Sequence, residues 1–181
     1  DLLLDADHSR AATIGLQKIF NINNDDFLFN WEWTQMEQTG SRLIRNAGSW
    51  YQHSWVYDGY TTKGEVLGSA IGPGSNSHYF SLNRIRNQEL IGIGLEIVYN
   101  DNDFNYLAFE SVKDYRRYWK DFNFYAEYEK SFNNININVL ATYTKSLNYN
   151  WGLVEDNNPS YYQPGIDLEN INLRIKILYF L

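Results

Sequence analysis

Glu32 and Glu37 are two carboxylates of one predicted strand region, and they stand five residues apart. Along a β-strand an odd separation points two side chains to opposite faces, so this pair cannot flank one glycosidic bond as acid and partner. Metal chemistry has no better support. His53 and His78 lie 25 residues apart with no ligating residues gathered around either. His8 stands beside Asp5 and Asp7 in DADHS, a weak metal pattern that reads more simply as a solvated terminus. Ser54 and Ser69 have no recognisable base partner and no G-x-S-x-G elbow. GPGSNSH lacks the phosphate-loop pattern, and GSAIGPG is not a dinucleotide loop. The residues therefore predict no catalytic group, no metal site and no cofactor, and the chain is expected not to be an enzyme.

What remains is contact chemistry. The stretch WVYDGYTTKGEVLGSAIGPGSNSHYF, residues 55–80, carries Trp55, Tyr57, Tyr60 and Tyr79, whose rings can stack on sugars or on neighbouring side chains. Gly59, Gly64, Gly68, Gly72 and Gly74 permit bends, bulges and close backbone approach. The expected course is a strand, a constrained glycine-rich crossing and a return strand.

The elements that must position these groups are strands. In DLENINLRIKILYFL, residues 167–181, Ile171, Leu173, Ile175, Ile177 and Tyr179 alternate with Asn170, Asn172, Arg174 and Lys176. The period is two, which fits a strand with one apolar and one polar face. The same alternation runs through ATIGLQKIF (12–20), FLFNWEWTQMEQT (27–39), ELIGIGLEIVYN (89–100), FNFYAEYEKSF (122–132) and ININVLATYTKSL (135–147). Turns are expected at 21–26, 100–103, 132–134 and 155–165, and the short Asn133-Asn134 turn predicts antiparallel neighbours. Residues 111–121 show mixed charge without clean alternation and fit a short helix or an extended loop. About eight strands are expected, in one region covering 1–181.

The chain has 181 residues, a size suited to one domain, and no cysteine, so it uses neither disulfides nor thiol chemistry. A formal net charge of −7 argues against a general nucleic-acid partner. No apolar run reaches the length of a membrane-spanning helix, which says little about a membrane barrel. Asp1 follows no basic and apolar leader, so no signal peptide is expected within this sequence.

Alternation alone fits two folds: a β-sandwich or barrel with an apolar core, or a transmembrane β-barrel with lipid outside and a polar lumen. Long strands and aromatics at strand ends, such as Trp119, Tyr149 and Trp151, favour the all-β, antiparallel transmembrane barrel. On that reading Glu32, Glu96, Glu127, Glu129, Arg174 and Lys176 face the lumen.

The run WEWTQMEQTG, followed by WYQHSWVYDGYTTKGEVLGSAIGPGSN, resembles the Wzi-type capsule assembly proteins of the outer membrane. Glu32, Thr34, Glu37, Tyr51, His53, Tyr57, Gly59, Tyr60, Gly64, Gly68, Gly72 and Gly74 carry the likeness, which is specific over residues 27–84. The resemblance implies the C-terminal part of a larger, Bacteroidetes-like barrel in the outer membrane of a Gram-negative bacterium. Its implied role is to assist assembly or attachment of capsular or extracellular polysaccharide, with outer-membrane lipid as a partner. Candidate lumen or saccharide contacts are then Glu32, Glu37, Tyr51, His53, Tyr57, Tyr60, Glu96, Glu127 and Arg174. The alternatives are a channel or porin for small solutes, an enzyme in an outer-membrane barrel, and a soluble carbohydrate-binding β domain. Oligomeric state is left open.

Overall fold

The computed structural model describes residues 10–38, 48, 50–51, 55–56, 59–63, 65–109, 116–154 and 164–179. The alternating segments become long strands: β1 (Ala12–Ile22), β2 (Asp25–Gln35), β5 (Asn76–Arg86), β6 (Glu89–Asn100), β7 (Trp119–Phe132), β8 (Ile135–Leu147) and β9 (Leu168–Tyr179). Together they form one seven-stranded antiparallel sheet in the order β1-β2-β5-β6-β7-β8-β9. Two-residue strands β3 (Thr61–Thr62) and β4 (Glu65–Val66) make a separate hairpin inside the β2–β5 connection. The return strand expected after the glycine-rich crossing is β5. The outgoing strand is only the two residues of β3.

The two ends of the sheet differ. At one end the hairpins close in two residues, with Asn23 and Asn24 at φ 51° and 66°, Asn87 and Gln88 at 46° and 60°, and Asn133 at 46°. Positive φ at such positions matches the twist of the flanking strands, and Asn tolerates it better than most residues. At the other end the connections are long. They carry helix α1 (Asn102–Phe109) and a 3₁₀ turn at Tyr149–Trp151. The helix starts where a turn was expected because Asp101 caps it, the Phe104 N–H donating to Asp101 Oδ1 at 2.9 Å. In the segment expected to be helix or loop, residues 116–118 are irregular and β7 begins at Trp119; residues 111–115 lie outside those described.

Apolar packing concentrates at the long-connection end. Met36, Val98 and Leu153 are the buried apolar side chains among the described residues. Trp151 packs on Phe104 and Trp119, with ring centres 4.4 and 5.2 Å apart. Over most of the sheet one face is apolar and unfilled: Ile93 is 63 % exposed and Ile171 77 %.

The transmembrane barrel is not formed. β1 pairs with β2 and β9 with β8, and among the described residues neither β1 nor β9 has a second neighbour. The count explains this. Seven consecutive antiparallel strands leave β1 and β9 running in the same direction, so these edges cannot complete the antiparallel ladder. An open edge carries unpaired N–H and C=O groups that hydrocarbon penalises by several kcal/mol each, so only closed barrels and helices span a bilayer. The expectations tied to closure fall with it: the outer-membrane location, the lipid partner, the lumen, the porin alternative and the role in capsule assembly. No helix of the described residues is long and apolar enough to cross a membrane.

Candidate functional site

Register gathers the polar residues of seven strands onto one face. From β2 to β9 this face carries Glu32 opposite Tyr79, Tyr79 opposite Glu96, Glu96 opposite Asn123, Asn123 opposite Thr144 and Thr144 opposite Asn170. In its middle the Tyr125 hydroxyl donates to Glu96 Oε2 at 2.7 Å, and Asn123 Nδ2 donates to the same oxygen at 3.1 Å. Thr144 Oγ1 donates to Asn123 Oδ1 at 2.7 Å, and the Tyr79 and Tyr125 rings meet edge to face. Burial, with the Glu96 carboxylate beside it, pushes the Tyr125 phenol well above its ordinary value. This cluster is satisfied from within, so Glu96 holds the sheet face together.

Nearer the short-turn end lies a different arrangement. A depression of about 510 Å³ is lined by Glu127 and Glu129 of β7, Asn136 and Asn138 of β8, and Arg174, Lys176 and Leu178 of β9. Asn138 Nδ2 donates to Glu127 Oε1 at 2.7 Å and to Glu129 Oε2 at 3.1 Å. Asn136 Nδ2 donates to Glu129 Oε1 at 2.9 Å. The amides of β8 therefore hold the two carboxylates, while Lys176 faces Asn138 and Arg174 faces Leu140 across β9. Arg174 and Lys176 make no hydrogen bond or ion pair with the described residues. The depression thus offers carboxylate and amide acceptors, amide donors and two unengaged cations, beside an aliphatic Leu178.

The other expected contacts lie elsewhere. Glu32 sits on the polar face with one long bond, from Thr34 Oγ1 at 3.4 Å. Glu37, just past β2, accepts from Asn76 Nδ2 at 2.7 Å and Asn102 Nδ2 at 3.0 Å, tying the β2–β5 connection to the start of β5 and of α1. The Tyr51 hydroxyl accepts from the Ser69 N–H at 3.0 Å, and its ring fills the space where a Gly68 Cβ would stand. Tyr60 is exposed and donates its N–H to the Tyr51 carbonyl at 3.0 Å. Gly59, Gly72 and Gly74 take positive φ, and a Cβ on Gly74 would stand 2.1 Å from Asp101 Oδ1. His53, Tyr57, Gly64, Ser54 and the DADHS cluster lie outside the described residues. The structure brings Glu127 and Arg174 into one depression and leaves Glu37, Tyr51 and Tyr60 on the β2–β5 connection. Glu129 and Lys176, placed by alternation on the same face, join them. Asn136 and Asn138 were not singled out, although folding β7 onto β8 about Asn133-Asn134 would have found them.

The acidic end of α1 supplies a pH test of the packing around Gly74. Burial holds the Asp101 carboxyl above its ordinary value, against the lowering effect of the Phe104 N–H. The folded chain thus binds this proton more tightly than the unfolded one. Its stabilising contribution is full below the ordinary carboxylate value and is lost as pH rises through the raised one. Asp101→Asn keeps a capping oxygen, suits the local φ of 35° and removes the partly desolvated charge. The variant should be as stable as the parent or more so at pH 7, by under about 1 kcal/mol after allowance for solvent screening. It should also show less gain on acidification. Urea midpoints from pH 3 to 7 decide this, and a clear loss at pH 7 would contradict it.

No group of three or more metal-ligating side chains occurs among the described residues. No family model, no curated protein and no solved structure matches the chain. The resemblance to the Wzi-type proteins, and with it the Bacteroidetes-like larger barrel, is therefore not upheld: the sheet is open, and nothing in the comparisons repeats it.

Proposed function

We propose that the chain is a non-catalytic, carbohydrate-binding β-sheet domain whose ligand seats in the β7–β8–β9 depression. The observation that carries this reading is the set of side chains there: Glu127, Glu129, Asn136 and Asn138 beside the unengaged Arg174 and Lys176. A sugar hydroxyl both donates and accepts. Adjacent hydroxyls are matched by carboxylate or amide oxygens on one side and by guanidinium, ammonium or amide donors on the other. Leu178 gives a ring face something apolar to cover. The carboxylates are fixed by β8 amides before ligand arrives, which lowers the ordering cost of binding. Glu127 and Glu129 face the depression together, but both carboxylates are already held by the Asn136 and Asn138 amides, which suits them to recognition rather than to bond breaking.

Calorimetric titration with a panel of neutral, acidic and amino oligosaccharides tests the reading. It predicts saturable binding of at least one class, competed by the free sugar, with the oligosaccharide recovered intact. A panel with no binder, or cleavage of the bound sugar, would sink it.

A further inference from the structure

Among the described residues nothing covers the opposite face of the sheet. Its side chains include Leu16, Trp31, Leu82, Ile93, Phe124 and Ile171, one from each strand except β8, which adds Tyr143. Leu16 is 54 % exposed, Ile93 63 % and Phe124 47 %. Seven strands about 4.8 Å apart, with about ten residues each at about 3.4 Å, cover roughly 1,100 Å². A contiguous apolar surface on a single soluble chain rarely exceeds a few hundred Å².

We infer that two copies of this chain pack these faces together as a β-sandwich, about a two-fold axis that runs across the strands. Size is the first argument. Two such faces together remove roughly 2,200 Å², within the range of obligate homodimers. Shape is the second. In one row across the sheet Phe124 and Tyr143 are opposite each other and stacked, with ring centres 6.1 Å apart, and they form a ridge. In the next row toward the short turns Ala126 and Ala141 are opposite each other and leave a hollow. An axis between these rows lays each ridge over the hollow of the other copy. A surface with a ridge and an adjacent hollow is complementary to itself, which an isologous interface requires. Charge is the third. The ion pairs of this face lie at its ends, where Lys130 Nζ meets Glu89 at 2.8 Å, Arg86 meets Asp25 at 3.3 Å and Lys145 meets Glu169 at 3.4 Å. They form a polar rim around an apolar centre, as interfaces do. The arrangement leaves both polar faces and their depressions outward, and it does not depend on what those depressions bind.

The test is sedimentation equilibrium of the 181-residue chain in detergent-free buffer, with three variants. The parent should have twice its chain mass of 21.3 kDa. Ala126 is exposed in a single copy, so Ala126→Phe leaves the fold intact by circular dichroism while filling the hollow. It should weaken the dimer about 10- to 100-fold, as overpacking does, and Phe124→Ala should do the same by removing the ridge. The combined swap, Phe124→Ala with Ala126→Phe, exchanges ridge and hollow in both copies and should restore affinity to within about fivefold of the parent. A parent of single-chain mass, a parent held in solution only by detergent or lipid, or a swap no tighter than either single variant would overturn the inference.

Discussion

Gly165→Ala should destabilise the chain by about 3 kcal/mol, read as a lower urea midpoint at unchanged slope. A Cβ at this position would fall 1.4 Å from Asn148 Oδ1 and 3.1 Å from Asn148 Cα. Asn148 cannot simply swing away. Its Nδ2 donates to the Tyr118 carbonyl at 2.8 Å and to the Arg116 carbonyl at 3.3 Å, and its N–H donates to Asp167 at 3.1 Å. It is buried and held at φ 50°, where Asn is favoured over other side chains. Moving it leaves two carbonyls short of a donor, and this single residue ties the start of β7 to the entrance of β9. The loss should be strongly non-additive. In an Asn148→Ala background, already weakened, Gly165→Ala should cost much less, because the colliding atoms are gone. Equal costs in both backgrounds would show that the two residues do not share this contact.

Arg174→Ala should reduce oligosaccharide affinity about 10- to 100-fold, the range for losing hydrogen bonds from a charged donor. The guanidinium is exposed on β9 and makes no bond to the described residues, so its removal should leave the urea midpoint within about 0.5 kcal/mol. Separation of affinity from stability is the diagnostic feature. Lys63→Asn serves as control. Lys63 lies in the β3–β4 turn at φ 53°, outside the depression, and its loss should change neither quantity. Unchanged affinity for Arg174→Ala would move the ligand away from β9.

The period-two alternation in residues 122–132 and 135–147 fixed more than the presence of β7 and β8. With a two-residue turn at Asn133-Asn134, it also sets their register, which places Glu127, Glu129, Asn136 and Asn138 together. The same alternation said nothing of whether the sheet closes, because an apolar face looks alike whether lipid, a core or a second copy covers it. Closure depended on strand parity. Parity turned on residues 55–80, where aromatics fall on both faces of β5: His78 and Phe80 on one side of the alternation, Tyr79 on the other. The pairing of β8 with β9 was also out of reach, since it is set by a long connection anchored through Asn148 and Gly165 rather than by a tight turn. Helix α1 is hard to see in the sequence because eight residues beginning at a cap make a weak periodic signal, and the Asp101 cap has the composition of a turn.

The central claim, that the β7–β8–β9 depression receives a saccharide, is tested most directly by an NMR titration of the isotopically labelled chain with the tightest oligosaccharide of the panel. Binding there shifts the side-chain amide signals of Asn136 and Asn138 and the backbone signals around Glu127, Glu129, Arg174 and Lys176, while Tyr51 and Tyr60 stay in place. Shifts confined to the β2–β5 connection, with Asn136 and Asn138 unmoved at saturation, would contradict the account.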